Sequence, residues 1–358
     1  MKKIFPLFIS LLLFSCGPEL DCCVQPQEPM YFPPTDGSNT WETKSVQELG
    51  WNSNAVQPLL DYLQLKNSKS FMILINGKIV MENYFNNHAQ NSLWYWASAG
   101  KTLTTSLVGI AQQEGLINTN NKVSTYLGNN WTSAPLAKEN LITLKHLLTM
   151  TSGLDDTLGD DVTPSNLVYV ADAGTRWAYH NVYVKLQDVV ENATPNHTWA
   201  TYFNEKLRDK IGMATNGVWY NNPDGTRIYF STTRSMARFG LLSLNKGKWD
   251  QTTVVNQDFF NLATSTSQNI NAAYGYLWWL NGKSSYHLPQ SQFQFNGSLI
   301  PTGPTDMYCA LGKNDQKIYV VPSMKMVVIR MGDAADNVNL ALSNFDTVLW
   351  QKINALYQ

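Results

Sequence analysis

Trp94-Tyr-Trp-Ala-Ser98-Ala-Gly-Lys101-Thr-Leu103-Thr-Thr-Ser-Leu107-Val-Gly-Ile110 is the stretch on which the reading of this chain turns. Leu103, Leu107 and Ile110 recur at helical spacing, so a helix is expected to open near Ser98. A serine in its first turn puts Lys101, three residues on, on the same face and within reach of the serine oxygen. A serine hydroxyl is a poor nucleophile until a neighbouring base takes its proton. A partly buried lysine can be that base, because desolvation lowers its pKa toward neutrality. The helix N-terminus adds positive potential where an oxyanion would form. The four-residue pattern S-x-x-K is weak alone, and a solvated helix start is the plain alternative. The aromatic approach Trp94-Tyr-Trp96 is unusual for an exposed cap.

Downstream, Gly174-Thr-Arg-Trp-Ala-Tyr179-His-Asn181 carries a phenol and an amide two residues apart. On a loop both can point into one cleft, Tyr179 relaying a proton as phenol or phenolate and Asn181 holding Lys101 and a substrate carbonyl. The alternative is a buried tyrosine beside a capped loop. His180 invites a Ser-His reading, but Lys101 and Tyr179 already fill the base's role. Asp155-Asp156 and Asp160-Asp161 form an acidic loop, either solvated or touching a basic substrate end.

The flanks set the architecture. Phe71-Met-Ile-Leu-Ile75, Asn76-Gly77 and Lys78-Ile-Val80 form two β-rich runs joined by the pair that a type I′ turn prefers. A second hairpin is expected from Lys317–Val321 through Pro322-Ser323 to Met326–Arg330. Helical periodicity marks Ala55–Leu65, Met236–Leu244 and Asn339–Tyr357. Strands thus sit at both ends of the sequence and mainly helices and loops between. The expectation is a sheet subdomain from about 45–110 and 265–358, with a helical subdomain from about 111–264.

Together these segments resemble the serine β-lactamase and penicillin-binding-protein superfamily, on its class C side, and nearest the esterase and 6-aminohexanoate-dimer hydrolase branch. The pieces stand in the family order: hairpin, S-x-x-K at 98–101, Thr143-Leu-Lys-His-Leu-Leu-Thr-Met-Thr-Ser-Gly-Leu154, and Y-x-N at 179–181. The resemblance implies an α+β fold (α/β in some schemes), an antiparallel sheet flanked by helices plus a helical subdomain. It implies acylation of Ser98, acid–base work by Lys101 and Tyr179, and an asparagine role for Asn181. It implies no cofactor, and no H-E-x-x-H or carboxylate cluster in the sequence suggests a metal. A further family motif, K-T-G or H-x-G, falls on Ala310-Leu-Gly312, so Ala310 stands where a cation is expected. A penicillin-like carboxylate would lose a charge-assisted contact there, worth about 1.5–3 kcal/mol. Gly312 would let substrate backbone approach the strand. The N–H of Lys313 would pair with that of Ser98 as the oxyanion hole. The implied activity is hydrolysis of an ester, amide or peptide-like substrate. A penicillin-interactive carboxypeptidase or β-lactamase, and a non-catalytic envelope binding protein, are the alternatives.

Composition sets the remaining bounds. Net charge is -1 and charged residues are 15%, which gives no reason to expect nucleic acid as partner. Lys2 and Lys3 precede the apolar run Ile4–Phe14, too short to span a bilayer, so residues 1–15 read as a secretory signal. Leu13-Phe-Ser-Cys16-Gly17 resembles a bacterial lipobox. That implies lipidation of Cys16 and anchorage in the cell envelope, and the stretch over 16–44, rich in Pro, Gly, Asn and Asp, reads as an extended tether. Cys22, Cys23 and Cys309 match no zinc spacing and make no disulfide framework.

Overall fold

The computed structural model describes residues 28–336 and 343–357. Six strands form one antiparallel sheet: β1 (Ser68–Ile75), β2 (Lys78–Tyr84), β3 (Trp279–Leu280), β4 (Tyr308–Gly312), β5 (Gln316–Val321) and β6 (Met326–Gly332). Their order is β2-β1-β6-β5-β4-β3. The pairing of β1 with β6, in which Ile73 faces Val328, joins the two ends of the chain as expected. Asn76 and Gly77 take φ of 50° and 84°, the left-handed pair that a tight hairpin requires.

Both faces of the sheet are covered, which explains why Phe71 through Leu74 are all fully buried and do not alternate. Helix α3 (Thr233–Leu244) lies on one face, where a side chain at Gly240 would sit 2.5 Å from Val327. Helices α1 (Val56–Leu65) and α4 (Asn344–Tyr357) cover the other. There Trp350 meets Tyr319 edge-on at 5.5 Å and Phe345 stacks on Tyr62 at 5.7 Å. The expected last helix therefore begins at Asn344, and the start expected at Asn339 lies outside the described residues. Helix α2 (Lys101–Gln113) bears on the site.

A buried ionic cluster sits between the sheet and α4. Lys317 on β5 lies 2.9 Å from Asp346 and 3.1 Å from Asp315, all three essentially inaccessible. Tyr319 donates to the same Asp346. Arg330 on β6 donates to the carbonyls of Asn314 and Asp315 at 2.8 and 3.1 Å. It thereby fixes the turn that follows Gly312, where Asn314 and Asp315 both have φ near 60°.

Two expectations are corrected. The segment read as an extended tether over 16–44 is, over 28–44, laid along the domain. Tyr31 donates to the Asn76 carbonyl, Arg238 to the Pro33 and Pro34 carbonyls, and Trp41 is buried with its indole N–H on the Gly77 carbonyl. Its Pro- and Gly-rich composition describes an extended chain, and extended chain can strap a surface as readily as leave it. The middle of the chain also holds a three-stranded sheet, Trp94–Tyr95 against Arg227–Ser231 against Val218–Asn221. Helix α3, within the segment assigned to the helical subdomain, packs on the main sheet.

Lys317→Met leaves two carboxylates buried without that cation. Urea unfolding is expected to show a loss of about 3–5 kcal/mol. A loss below about 1 kcal/mol would mean that the cluster is not held as described.

Candidate active site

The site is built on a constrained turn. Trp96 is fully buried, with its indole N–H on Ser231 Oγ at 2.8 Å and its backbone N–H on the Tyr229 carbonyl at 2.9 Å. The next residue, Ala97, has φ of 47°. A residue with a Cβ is strained there, at a cost of about 1–2 kcal/mol. That strain turns the chain abruptly from the strand Trp94–Tyr95 into a 3₁₀ turn at Ala97–Gly100, from which α2 continues. Ser98 is thus one turn ahead of the α-helix and Lys101 is its first residue.

Strand β4 presses on this turn. A Cβ on Gly312 would fall 2.5 Å from the Trp96 carbonyl oxygen and 3.0 Å from the Ala99 nitrogen. The glycine is therefore accounted for by the strand's approach to the serine turn, where sequence reasoning looked for substrate approach. Ala310, two residues earlier, is buried in register with Ile318, and Lys313 is exposed.

The Tyr179 segment is held from below by the end of the Thr143–Leu154 block. The N–H of Ala178 donates to the Met150 carbonyl at 2.8 Å, and Gly174 to Thr151 at 2.8 Å. Tyr179 stacks on Trp279 at 5.7 Å and meets Tyr274 edge-on at 6.2 Å; Trp279 is buried behind the Tyr179 ring, and Trp278 packs in the core against Phe239. His180 does not serve as a base toward Ser98. It caps the turn Asn181–Val184, with its Nδ1 accepting from the Val182 N–H at 3.2 Å, and burial pushes its pKa down to about 4.

These elements converge on Lys101, which is 2% exposed. Its Nζ lies 2.9 Å from Ser98 Oγ and 3.2 Å from Asn181 Oδ1. The rings of Tyr179 and Tyr183 flank it, with centroids at 4.8 and 4.4 Å. Burial drives the Lys101 pKa down to about 7, partly opposed by the Asp160 carboxylate. Burial moves the Tyr179 phenol well above the ordinary tyrosine value, partly opposed by the neighbouring Ser98 hydroxyl. At neutral pH Tyr179 is therefore a phenol, a proton donor. A neutral lysine has two N–H groups and one lone pair. With one N–H directed to Asn181 Oδ1, the lone pair is free to face the serine hydroxyl.

The structure thus brings Ser98, Lys101, Tyr179 and Asn181 into one constellation and sets Gly312 against it. Cys16 lies outside the described residues. Two contributors escaped sequence reasoning. Tyr183 is four residues after Tyr179, a spacing that could have flagged it. Asp160 Oδ1 accepts from Asn181 Nδ2 at 2.7 Å, a contact that depends on a loop no periodicity describes. Among the described residues no group of three or more His, Cys, Asp or Glu is placed to hold a metal ion.

Comparison with known proteins identifies the family and the fold. Residues 67–336 match the sequence model of the beta-lactamase family. An uncharacterized protein of Alkalihalophilus pseudofirmus, BpOF4_21049, is 26% identical over 296 residues, covering 73% of this chain and 82% of its own length. A solved structure from Bacillus anthracis, provisionally named a 6-aminohexanoate-dimer hydrolase, superposes with a TM-score of 0.68 at 18% identity. It covers 92% of each chain. A structure from Bacteroides dorei, provisionally named a beta-lactamase, gives 0.65 at 13% identity over 86% of this chain and 99% of that one. At those identities the two structures speak to the fold.

A buried lysine makes stability depend on pH. In the unfolded chain it titrates near about 10.4, in the fold at about 7. Below pH 7 both states carry the proton and the cost of burying the ammonium is felt in full. From about pH 7 to 10 the unfolded state binds more protons, so this group's contribution to stability rises with pH. Lys101→Met is expected to exceed wild type in urea stability at pH 6 by about 2–4 kcal/mol, its lost hydrogen bonds offsetting part of the gain. The gap should close toward pH 10; a gap independent of pH would contradict the lowered lysine pKa.

Proposed function

The chain belongs to the beta-lactamase family, and on that premise we propose that it is a serine hydrolase acting on an ester or amide through an acyl-enzyme at Ser98. Ser98 Oγ attacks the carbonyl carbon while neutral Lys101 takes the hydroxyl proton. The carbonyl oxygen becomes an oxyanion, received by the backbone N–H groups of Ser98 and Lys313. Tyr179 donates a proton to the leaving alcohol or amine and is reprotonated through Lys101. Water then attacks the acyl group, with the same pair as base, and releases the acid and free Ser98. Asn181 is expected to orient both Lys101 and the substrate carbonyl.

The observation that carries this reading is the 2.9 Å contact between Ser98 Oγ and an almost inaccessible lysine amine. At pH near 7 that amine is divided between its protonated and basic forms. The close approach of Gly312 to the serine turn supports the oxyanion assignment, because it brings the strand end that bears Lys313 beside the nucleophile. Ala310, apolar and buried, argues against a substrate anchored there by a carboxylate. Amides of ω-amino acids, the substrate class named for the Bacillus anthracis neighbour, join simple esters as the first compounds to try. The N-terminal sequence supports an exported protein anchored by a lipid on Cys16, with its hydrolase domain in the cell envelope.

A fluorophosphonate is expected to label wild type. Ser98→Ala should abolish labelling and reduce turnover of short p-nitrophenyl esters by about 10³-fold or more. A fluorescent penicillin should label little. Wild type that takes no fluorophosphonate and turns over no ester, ω-amino amide or D-amino-acid peptide would refute the reading; strong penicillin labelling would redirect it to the penicillin-interactive enzymes.

A further inference from the structure

Asn181 has an amide that can present either end to Lys101. Turned one way, its Oδ1 accepts from the amine; turned the other, its NH₂ faces the amine and competes for the lone pair. A carboxylate can only accept, so whichever end of the amide faces it must be the donor. Asp160 supplies that carboxylate: its Oδ1 takes the hydrogen bond from Asn181 Nδ2 at 2.7 Å, and Asn181 Oδ1 is left to Lys101 at 3.2 Å. The loop that carries Asp160 is anchored two residues later. Val162 is 2% exposed there and its N–H donates to the Asp224 carbonyl at 3.1 Å.

We propose that Asp160 is a positioning residue of the reaction, acting through Asn181: its carboxylate fixes the amide with Oδ1 toward Lys101, so that the lysine lone pair stays on the Ser98 hydroxyl. The inference rests on the reading of Ser98 and Lys101 as nucleophile and base.

Asp160 also acts at a distance. The groups that face Lys101 are the Ser98 hydroxyl, the Asn181 amide, and the rings of Tyr179 and Tyr183. His180 feels the lysine's charge, and also that of Asp155, Asp156 and Asp160, while Tyr183 also feels Asp224 and Arg227. Asp160 is the carboxylate that bears on the lysine itself, and it favours the ammonium. Removing it therefore makes the lysine easier to deprotonate while releasing the amide that aims it. The two consequences have opposite signs for catalysis, which separates this role from a loop anchor.

The test uses the full-length protein, Asp160→Asn and Asp160→Ala. Three quantities are followed: the fluorophosphonate labelling rate from pH 5 to 9, the Lys101 side-chain titration by ¹³C NMR (assigned with Lys101→Arg), and the melting temperature. Both variants should move the acidic limb of labelling, and the lysine titration, downward by roughly 0.5–1 pH unit. Asp160→Ala should also lower the plateau rate about tenfold. Asp160→Asn, whose Oδ1 can still accept from Asn181, should lose less. Labelled wild type with both variants keeping its limb and its lysine titration would overturn the inference and leave the proposed function standing, even if their melting temperatures fall. Unlabelled wild type would instead remove the proposed function. The lysine titration would then decide by itself, a downward move upholding the Asp160 contact and an unchanged one overturning it.

Discussion

The site depends on one unfavourable act, the burial of the Lys101 amine. An ammonium taken out of water is costly, and the protein lowers the cost by letting the proton leave near neutral pH. What remains is an amine with a lone pair 2.9 Å from a hydroxyl. Everything nearby serves that arrangement: two aromatic rings exclude water from it, one amide oxygen holds its N–H, and one distant carboxylate limits how far its pKa falls.

The scaffold matters because this amine must meet a specific oxygen. Trp96, bonded to Ser231 and to the Tyr229 carbonyl, and the left-handed Ala97 give Ser98 one direction. Gly312 lets strand β4 close against the same turn. Behind that strand, Arg330 fixes the 314–315 turn through its carbonyls, and Lys317 ties β5 to α4 through Asp346. The charged cluster behind the sheet is thus linked to the turn beside Ser98 by a single strand. Rigid elements position reacting groups better than loops do.

Legibility in the sequence followed the range of the interaction. Ser98 and Lys101 were readable because an i, i+3 contact is set by helical geometry alone. The Asn76-Gly77 hairpin was readable because two left-handed residues in a row leave few choices of side chain. The union of β1 with β6 followed from strands at both ends of the chain. Asp160 was visible only as part of an acidic loop, since its meeting with Asn181 depends on how that loop is pinned at Val162. The strap over 28–44 was read as a tether because several of the hydrogen bonds that hold it end on backbone carbonyls, which every sequence possesses. At Gly312 the sequence suggested room for substrate backbone, and the group that the structure places against it is the chain's own turn.

The central claim is covalent. Wild type mixed with a slowly hydrolysed aryl ester, quenched in acid and examined by intact-mass spectrometry with peptide mapping, tests it most directly. One acyl group is expected, carried on Ser98. Turnover with no adduct under conditions of rapid quench, or an acyl group carried on another residue, would contradict it.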